Sequence, residues 1–351
     1  MSTAAWWEKG STNTTFGDFI IRKAGEGDPE WDSSKYNQIL VNETEAFLDE
    51  HVANVAKGSS DPFFTYVALG AVHGPHSPPK TYLDGSKIAG SYPSFHMDIL
   101  LEMDKAVGSI VSMVEDKGLA EDTIIIFTSD NGGIKTSISS QHGHNSHGPF
   151  RGAKGDVYEG GTRVPMIVRY DGQFPAGETR LNLVGLQDTY ATICELTGVD
   201  IPDRSARDSL SFAQCIYNGN MRSPRKWQAS WDYSRSGLKA ESIRKGRLKM
   251  LRHLRPMTKT ESCNLTEDIS KSNNLASHKS LKKRKKQMLK KLRKAGPCPG
   301  TDIKRDCMLR GGHLKDKIVN CKWFRDDPLR CNEYPEGELY CTSVCNRYKR
   351  C

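Results

Sequence analysis

Three short segments of the chain concentrate side chains that could act on an anionic substrate. The first holds His73, His76 and Lys80 among prolines, the second is Asp130-Asn-Gly-Gly, and the third is a glycine-rich stretch around Lys154. Imidazoles exchange protons near neutral pH, and a lysine offers a point charge to an oxyanion. A carboxylate beside an amide provides the hard oxygen ligands that calcium or magnesium prefers. These residues predict a turn that could bind a hard metal ion, together with groups that could exchange protons and hold an oxyanion.

Each segment also has an ordinary structural interpretation. Asp-Asn-Gly-Gly is a common turn sequence, and an isolated lysine is usually a solvated surface charge. The glycines around Lys154, however, let the backbone approach a ligand closely. All three segments adjoin apolar runs, and reactive groups in open α/β sheets lie at the carboxyl ends of strands. Their joint occurrence therefore favours a site.

The elements that would position these segments follow from hydrophobic periodicity. Short apolar runs predict buried strands, and runs with three- and four-residue spacing predict amphipathic helices. The predicted strands are 63–69, 123–128 and 165–170, and the predicted helices are 35–56, 94–118 and 186–196. Ser94 is a suitable N-cap, and Gly118 and Gly198 are suitable stop signals. This order predicts an α/β layer fold with a mainly parallel sheet.

The texture of the sequence changes twice further along the chain. Strand candidates around 227–233 and 248–253 are shorter and more polar, as expected of a small antiparallel subdomain. We predict three domains. They are a partial catalytic α/β domain at 1–202, a subdomain at 203–296 and a cysteine-rich module at 297–351.

Taken together, the motifs resemble the sulfatase family, of the arylsulfatase type, within the alkaline-phosphatase-like superfamily. The segments that carry the resemblance are Asp61-Pro-Phe-Phe-Thr-Tyr-Val-Ala-Leu-Gly-Ala-Val-His-Gly-Pro, Phe127-Thr-Ser-Asp-Asn-Gly-Gly, Arg151-Gly-Ala-Lys-Gly-Asp-Val-Tyr-Glu-Gly-Gly-Thr-Arg-Val-Pro, and Leu265-Thr-Glu-Asp followed by Ser272-Asn-Asn-Leu-Ala. They span about residues 35–295 in the family's order. The resemblance implies a mixed sheet flanked by helices, of which this chain holds a part, with a small antiparallel subdomain after it.

The resemblance also implies roles for individual residues. Asp130 and Asn131 would bind Ca²⁺, with Mg²⁺ as an alternative. His73 would contact the sulfate group and assist proton transfer, and Lys154 would hold a sulfate oxygen. The residues expected to bind substrate are His73, His76, Lys80 and Lys154. We expect the strand ends that carry His73, Asp130 and Lys154 to converge on one cleft.

The sequence departs from the family at the nucleophile. Sulfatases use a formylglycine made from the cysteine of a Cys-x-Pro-Ser-Arg motif, and none of the ten cysteines has that context; Cys298-Pro-Gly-Thr is the nearest. We interpret this as amino-terminal truncation. The expected function is hydrolysis of aryl or carbohydrate sulfate esters, with this chain inactive alone. Two alternatives stay open: a related metal-dependent phosphatase or phosphonate hydrolase, and a non-catalytic protein that binds sulfated glycans.

The positive charge is confined to one segment. The formal net charge of +9 becomes −1 without the ten lysines and arginines between 279 and 294. Leu281, Met288, Leu289 and Leu292 form an apolar stripe on the same predicted helix. The segment is either a solvated helix held by that stripe or a polyanion site, and both could hold for a sulfated polysaccharide. We predict neither a nucleic-acid partner nor a transmembrane segment.

Two features indicate the secretory route. Asn13-Thr-Thr, Asn42-Glu-Thr and Asn264-Leu-Thr fit the N-glycosylation pattern. Seven of the ten cysteines lie between Cys298 and Cys351, a density typical of a disulfide-stapled module. A zinc site is less consistent with the spacing, because the tail has no paired Cys-x-x-Cys set. We therefore predict a secreted or lumenal protein whose signal peptide is missing from this chain.

Overall fold

The chain forms two compact units in the computed structural model. The model describes residues 32–135, 141–202, 205–234, 237–254, 258–270 and 273–295, and the backbone of 312–314 and 317–319. The first unit comprises Met1–Ser129, Lys135–Ser146 and Pro165–Ala176, and the second comprises Asp130–Ile134, His147–Val164 and Gly177–Cys351. No helix among the described residues is long and apolar enough to span a bilayer.

Two long helices organise the first unit. Helix α1 (Tyr36–Ala56) packs against α2 (Phe95–Asp116), and both coincide with predicted helices. The Ser94 side chain accepts a hydrogen bond of 3.3 Å from the Met97 backbone N–H, so it caps α2 as predicted. The buried core residues associated with these helices are Val41, Tyr82, Ile88 and Ala106.

The strands of the first unit pair in the direction opposite to the one predicted. Strand β1 (Ile125–Thr128) pairs with β2 (Met166–Arg169) antiparallel, in a register that places Ile125 opposite Arg169. Both strands lie where the sequence predicted them, but the mainly parallel sheet is wrong for the described residues. An apolar run predicts that a strand is buried, and it does not specify the direction of its neighbour.

The predicted buried strand at 63–69 is also wrong. This segment has no regular secondary structure, and the Phe64 and Tyr66 side chains are 74% and 84% exposed. A strand needs a neighbour to satisfy its backbone N–H and C=O groups. Among the described residues no strand pairs with this segment, so its apolar composition alone does not produce a strand.

An antiparallel meander forms the centre of the second unit, as predicted. Its strands pair in chain order and are β3 (Gln228–Ser234), β4 (Gly237–Lys245), β5 (Leu248–His253) and β6 (Lys259–Asn264). The sequence indicated only β3 and β5. A separate short antiparallel pair, β7 (Gly312–Leu314) and β8 (Lys317–Val319), falls within the cysteine-rich tail. The rest of that predicted module lies outside the described residues.

Along the chain of the second unit, three helices precede this meander and one follows it. They are α3 (Glu159–Thr162), α4 (Thr189–Thr197), α5 (Ala213–Tyr217) and α6 (Lys282–Ala295). Helix α4 ends at Gly198, whose φ of +69° is the left-handed conformation predicted for its stop signal. Asp188, fully buried before α4, accepts hydrogen bonds of 2.7 Å and 2.6 Å from Nε and Nη2 of Arg225. This paired charge ties the start of α4 to the chain just before β3.

Candidate active site

A helix of the first unit positions the His73 segment. The buried Asn37 side chain on α1 accepts a hydrogen bond of 2.9 Å from the Gly70 backbone N–H. The His73 backbone N–H donates in turn to the Gly70 carbonyl oxygen at 2.9 Å, and the His73 side chain is exposed. Its Nδ1 lies 2.6 Å from the Gly74 carbonyl oxygen. A carbonyl only accepts, so Nδ1 carries the proton and Nε2 of the neutral ring is left as a base.

His76 belongs to a cluster of three histidines in the same unit. The ring of His96, in the first turn of α2, lies 5.1 Å from that of His76 and 5.8 Å from that of His144, between ring centroids. Both ring nitrogens of His96, and Nε2 of His76 and of His144, are buried without a hydrogen-bond partner among the described residues. Burial lowers the pKa of His96 to about 4 and also lowers the pKa of His76. The His96 ring is thus uncharged at neutral pH.

In the second unit, Asp130 and Asn131 follow β1 on a tightly constrained turn. The Asp130 side chain is exposed, and the Asn131 side-chain Nδ2 donates to the Gly132 carbonyl oxygen at 3.0 Å. The Gly132 N–H donates to the Gly161 carbonyl oxygen at 3.1 Å, and a Cβ on Gly132 would lie 1.9 Å from the Gly160 carbonyl oxygen. The close approach of the two backbones therefore requires glycine here.

A second backbone hydrogen bond holds the Lys154 loop beside this turn. The Lys154 backbone N–H donates to the Gly133 carbonyl oxygen at 2.9 Å, and the Lys154 side chain is exposed. Gly152, at φ +80°, turns the chain, and the Asp156 carboxylate accepts from the Ala153 N–H at 2.9 Å. Backbone hydrogen bonds thus hold the metal-ligand candidates and the lysine that is predicted to contact the sulfate on neighbouring loops.

Sequence reasoning missed the buried ionic anchor of this loop. Glu159, 2% exposed, accepts from the Lys249 ammonium at 2.7 Å and from Nη1 of Arg244 at 3.0 Å. Lys249 is 3% exposed, and burial lowers its pKa. The two cations lie on β5 and β4, so the ion pair fastens the loop that carries Lys154 to the meander. An acidic residue among glycines, ahead of an apolar strand, is the only signal that the sequence offers.

A second contact with β6 supports the anchor. The Tyr158 hydroxyl donates to Oε2 of Glu261 at 3.0 Å, and Arg151 reaches the same oxygen at 3.0 Å. The Arg151 guanidinium lies 4.2 Å from the centroid of the Tyr158 ring. Burial raises the pKa of Tyr158, with a further contribution from the Glu261 carboxylate. Both ends of the segment from Arg151 to Glu159, within the longer signature, are therefore fixed to the sheet.

The side-chain oxygens of Asp130 and Asn131 are of the type that a hard cation prefers, but two such side chains are too few to complete a site. Asp130 offers carboxylate oxygens and Asn131 an amide oxygen, the ligand types of calcium and magnesium. Calcium takes about six to eight oxygen ligands. Among the described residues no group of three or more His, Cys, Asp or Glu side chains is arranged to hold a metal ion. The described residues thus fit part of a calcium site.

Comparison with known proteins decides the family. The sequence model of the sulfatase family matches residues 1–199, and that of the N-sulphoglucosamine sulphohydrolase carboxy-terminal region matches 147–296. The chain belongs to the sulfatase family. Members hydrolyse sulfate esters, generally with a metal ion and formylglycine.

Individual relatives agree with this assignment. N-acetylgalactosamine-6-sulfatase from Canis lupus familiaris is 32% identical over 183 residues, which cover 52% of this chain and 34% of the relative. The Homo sapiens protein of the same name is 32% identical over 182 residues, again 52% and 34%. Arylsulfatase D from Homo sapiens is 29% identical over 197 residues, 55% of this chain and 32% of the relative. This sulfatase chain thus spans about a third of the length of the curated relatives it matches.

Solved structures confirm the fold. A sulfatase from Pseudoalteromonas sp. is 25% identical with a TM-score of 0.60, covering 74% of this chain and 52% of that one. A protein of a Bacteroides thetaiotaomicron locus for the metabolism of multiple glycosaminoglycans is 24% identical with a TM-score of 0.62, covering 75% and 55%. The predicted α/β, alkaline-phosphatase-like class is therefore correct, although its sheet pairs differently in the described residues.

The predicted site residues of this sulfatase chain divide between the two units. His73, His76 and Lys80 lie in the first unit, and Asp130, Asn131 and Lys154 lie in the second. Within the second unit the backbone contact from Lys154 to Gly133 brings the two predicted groups together. The convergence of His73 with Asp130 on one cleft stays a prediction.

Proposed function

We propose that this chain carries the metal-ligating and sulfate-contacting part of a sulfuric ester hydrolase site. The observation that carries the proposal is the hydrogen bond of 2.9 Å from the Lys154 N–H to the Gly133 carbonyl oxygen. It sets the only lysine of the glycine-rich loop beside the turn that bears Asp130 and Asn131. Sulfate transfer develops negative charge on oxygens, and a fixed cation next to hard metal ligands suits that charge.

Each residue then has one task. Lys154 binds a sulfate oxygen through its exposed ammonium. His73, with Nδ1 donating to the Gly74 carbonyl oxygen, exchanges a proton with the ester through Nε2. His76 and Lys80 line the substrate side. Asp130 and Asn131 would hold a calcium ion, which supplies further positive charge to the sulfate when bound.

We propose a carbohydrate sulfate ester as the substrate class, with an aryl sulfate as the alternative. Support comes from the relatives at 32% identity, which are named N-acetylgalactosamine-6-sulfatases. Arylsulfatase D, at 29% identity, keeps the aryl alternative open. No cysteine of the chain stands in a Cys-x-Pro-Ser-Arg motif. We therefore expect the 351-residue chain by itself to bind a sulfate ester without turning it over, because the covalent route needs the nucleophile.

Substituting Lys154 tests this proposal. Lys154→Ala is expected to weaken calcium-dependent binding of 4-methylumbelliferyl sulfate to the chain by about tenfold, the value of one charge-assisted hydrogen bond. Isothermal titration with and without calcium measures the affinity, and the fluorescence of released 4-methylumbelliferone measures turnover.

The matched control is Lys226→Ala, which removes another exposed lysine of the second unit. It is expected to bind like the unaltered chain. Equal affinities of the Lys154 and Lys226 variants would refute the role of Lys154. Robust turnover that Lys154→Ala abolishes would show that another residue of this chain serves as nucleophile.

We also propose a secreted or lumenal location with N-linked glycosylation. Asn42 of the Asn42-Glu-Thr sequence is exposed on α1. Expression through a secretory pathway is expected to give a chain whose mobility rises after treatment with an N-glycosidase, and Asn42→Gln should remove part of that shift. An unchanged mobility in the unaltered chain would contradict the glycosylation.

A further inference from the structure

Helix α6 is fixed to the meander by one face. Met288 and Leu292 are 1% and 0% exposed and pack in one cluster with Ile243, Leu248 and Met250 of β4 and β5. Leu281 and Leu289 border the same cluster. The Lys285 ammonium donates a hydrogen bond to the Ala276 carbonyl oxygen. The helix thus packs on the meander through its apolar stripe, as predicted.

The opposite face of α6 is cationic and exposed. Its exposed basic residues are Lys282, Lys283, Arg284, Lys286, Lys290 and Lys291. None of them forms an ion pair with the acidic residues that the structure describes. The segment 279–294 contains no acid of its own. Like charges one turn apart destabilise a helix slightly, so packing on the sheet holds together an array that would otherwise repel itself.

We propose that this face binds a sulfated polysaccharide, at a site separate from the one that contacts the scissile sulfate. The proposal rests on the proposed function, which makes the substrate a sulfated carbohydrate. Lys282, Lys286 and Lys290 recur at intervals of four, so they run along one side of the helix for roughly 12 Å at 1.5 Å per residue. A linear polyanion with regularly repeated sulfates matches such a row, because each ammonium meets a separate charge.

The apolar cluster under α6 also contacts an aromatic ring that carries a cation. Trp227 packs against the same apolar cluster as α6. The Lys245 ammonium lies 4.5 Å from the centroid of the Trp227 ring. A cation stacked on an indole suits a ligand that has both anionic groups and apolar ring faces, as a sulfated sugar does. Binding at this face would raise the local concentration of substrate chains near the enzyme.

A triple substitution tests the proposal with the 351-residue chain. Lys282→Ala, Lys286→Ala and Lys290→Ala together keep the helix, since alanine has the best helix propensity. Fluorescence anisotropy with a labelled heparin oligosaccharide measures affinity over a range of salt concentrations. The triple variant is expected to bind the heparin oligosaccharide about tenfold more weakly, because three charge pairs that are individually weak are lost together. Its affinity should also fall less steeply with salt, because fewer charge pairs remain for the salt to screen.

The control removes the same charge elsewhere. Lys57, Lys135 and Lys226 are exposed and unpaired among the described residues, and their combined replacement by alanine is expected to change the affinity less than twofold. Circular dichroism verifies that both variants fold. Equal weakening in both triple variants would overturn the proposal, because it would show a net-charge effect. Equal affinity for desulfated heparin or single-stranded DNA would overturn the assignment to a sulfated glycan.

Substitution of Lys154 separates this surface from the proposed active site. If α6 binds the polysaccharide, Lys154→Ala keeps the affinity for heparin while it loses affinity for the small sulfate ester. Loss of heparin binding with Lys154→Ala and not with the α6 variant would overturn the proposal and leave the proposed function standing. Heparin binding through α6 with no effect of Lys154→Ala on the small ester would overturn the proposed function and support this surface.

Discussion

Replacing Glu159 with alanine is expected to lower the free energy of unfolding by about 3–5 kcal/mol, the cost of breaking a buried ion pair. Glu159 and Lys249 are 2% and 3% exposed, and their side chains meet at 2.7 Å. Without the carboxylate, the Lys249 charge would be buried with no counter-ion. Urea unfolding followed by tryptophan fluorescence measures the change.

The matched control is a surface ion pair of the same unit. Glu178 meets Arg180 at 2.7 Å, but the Glu178 side chain is 55% exposed. Glu178→Ala should therefore cost less than about 1 kcal/mol. The double variant Glu159→Leu with Lys249→Met should be less destabilised than Glu159→Ala, since the buried Lys249 charge is removed together with its partner. Only Arg244, whose side chain is 23% exposed, then loses its ion pair with Glu159. If Glu159→Ala and Glu178→Ala lowered the free energy of unfolding equally, Glu159 would not be a buried anchor of the loop.

The anchor also has a consequence for the site. Glu159 lies five residues after Lys154. Its ion pair with Lys249 fixes the end of this loop to the meander, next to Val157 and Tyr158, which pack in a buried cluster with Ala240 and Leu251. Loosening α3 would free the turn that makes the Gly160 N–H donate to the Arg151 carbonyl oxygen at 2.9 Å. The Lys154 loop would then lose its fixed position beside Gly133. Binding of a sulfate ester should weaken in Glu159→Ala even under conditions where the variant stays folded.

Helices α1, α2, α4 and α6 were predictable because their signals are local. Ser94 and Gly198 act on the backbone within one turn of their own positions, and the apolar spacing of α2 and α6 lies within each segment. The glycines of the site motifs indicated that the backbone could approach another group closely, and Gly132 and Gly160 do lie in close contact. The composition did not show which two segments would meet.

The strand pairing and the ionic network were not predictable, because both depend on distant parts of the chain. Residues 63–69 have the composition of a buried strand, but a strand forms only when a neighbour completes its hydrogen bonds. Glu159 and Lys249 are 90 positions apart, and the sequence gives no sign that these two charges are partners. The histidine cluster has the same character, since His76, His96 and His144 come from three separated segments.

Acidification is expected to destabilise the first unit through His96. The ordinary pKa of histidine is about 6.5, and burial holds the pKa of His96 at about 4, with smaller contributions from the neighbouring His76 and His144. No described carboxylate pairs with this ring. Between pH 6.5 and pH 4 the His96 ring therefore binds a proton in the unfolded chain and does not bind one in the folded chain.

The direction in which stability changes with pH follows from this difference in proton binding. The contribution of His96 to the free energy of unfolding is highest above pH 6.5 and falls as the pH decreases. It becomes constant below about pH 4, where the ring is also protonated in the folded chain. The loss attributable to His96 is about 2–3 kcal/mol across that window. Urea unfolding at a series of pH values measures it.

Replacing His96 with phenylalanine separates this effect from the rest of the titration. The substitution keeps an aromatic ring of similar size among His76 and His144, and it removes both buried nitrogens that lack a hydrogen-bond partner. The variant should lose about 2–3 kcal/mol less than the unaltered chain between pH 6.5 and 4, and its stability at pH 7 should be equal or higher. His142→Phe, at an exposed position of the same unit, should follow the unaltered chain. If His96→Phe and the unaltered chain lost stability in parallel, the neutral buried ring would not be the cause, and the acid sensitivity would have to arise from other titrating groups.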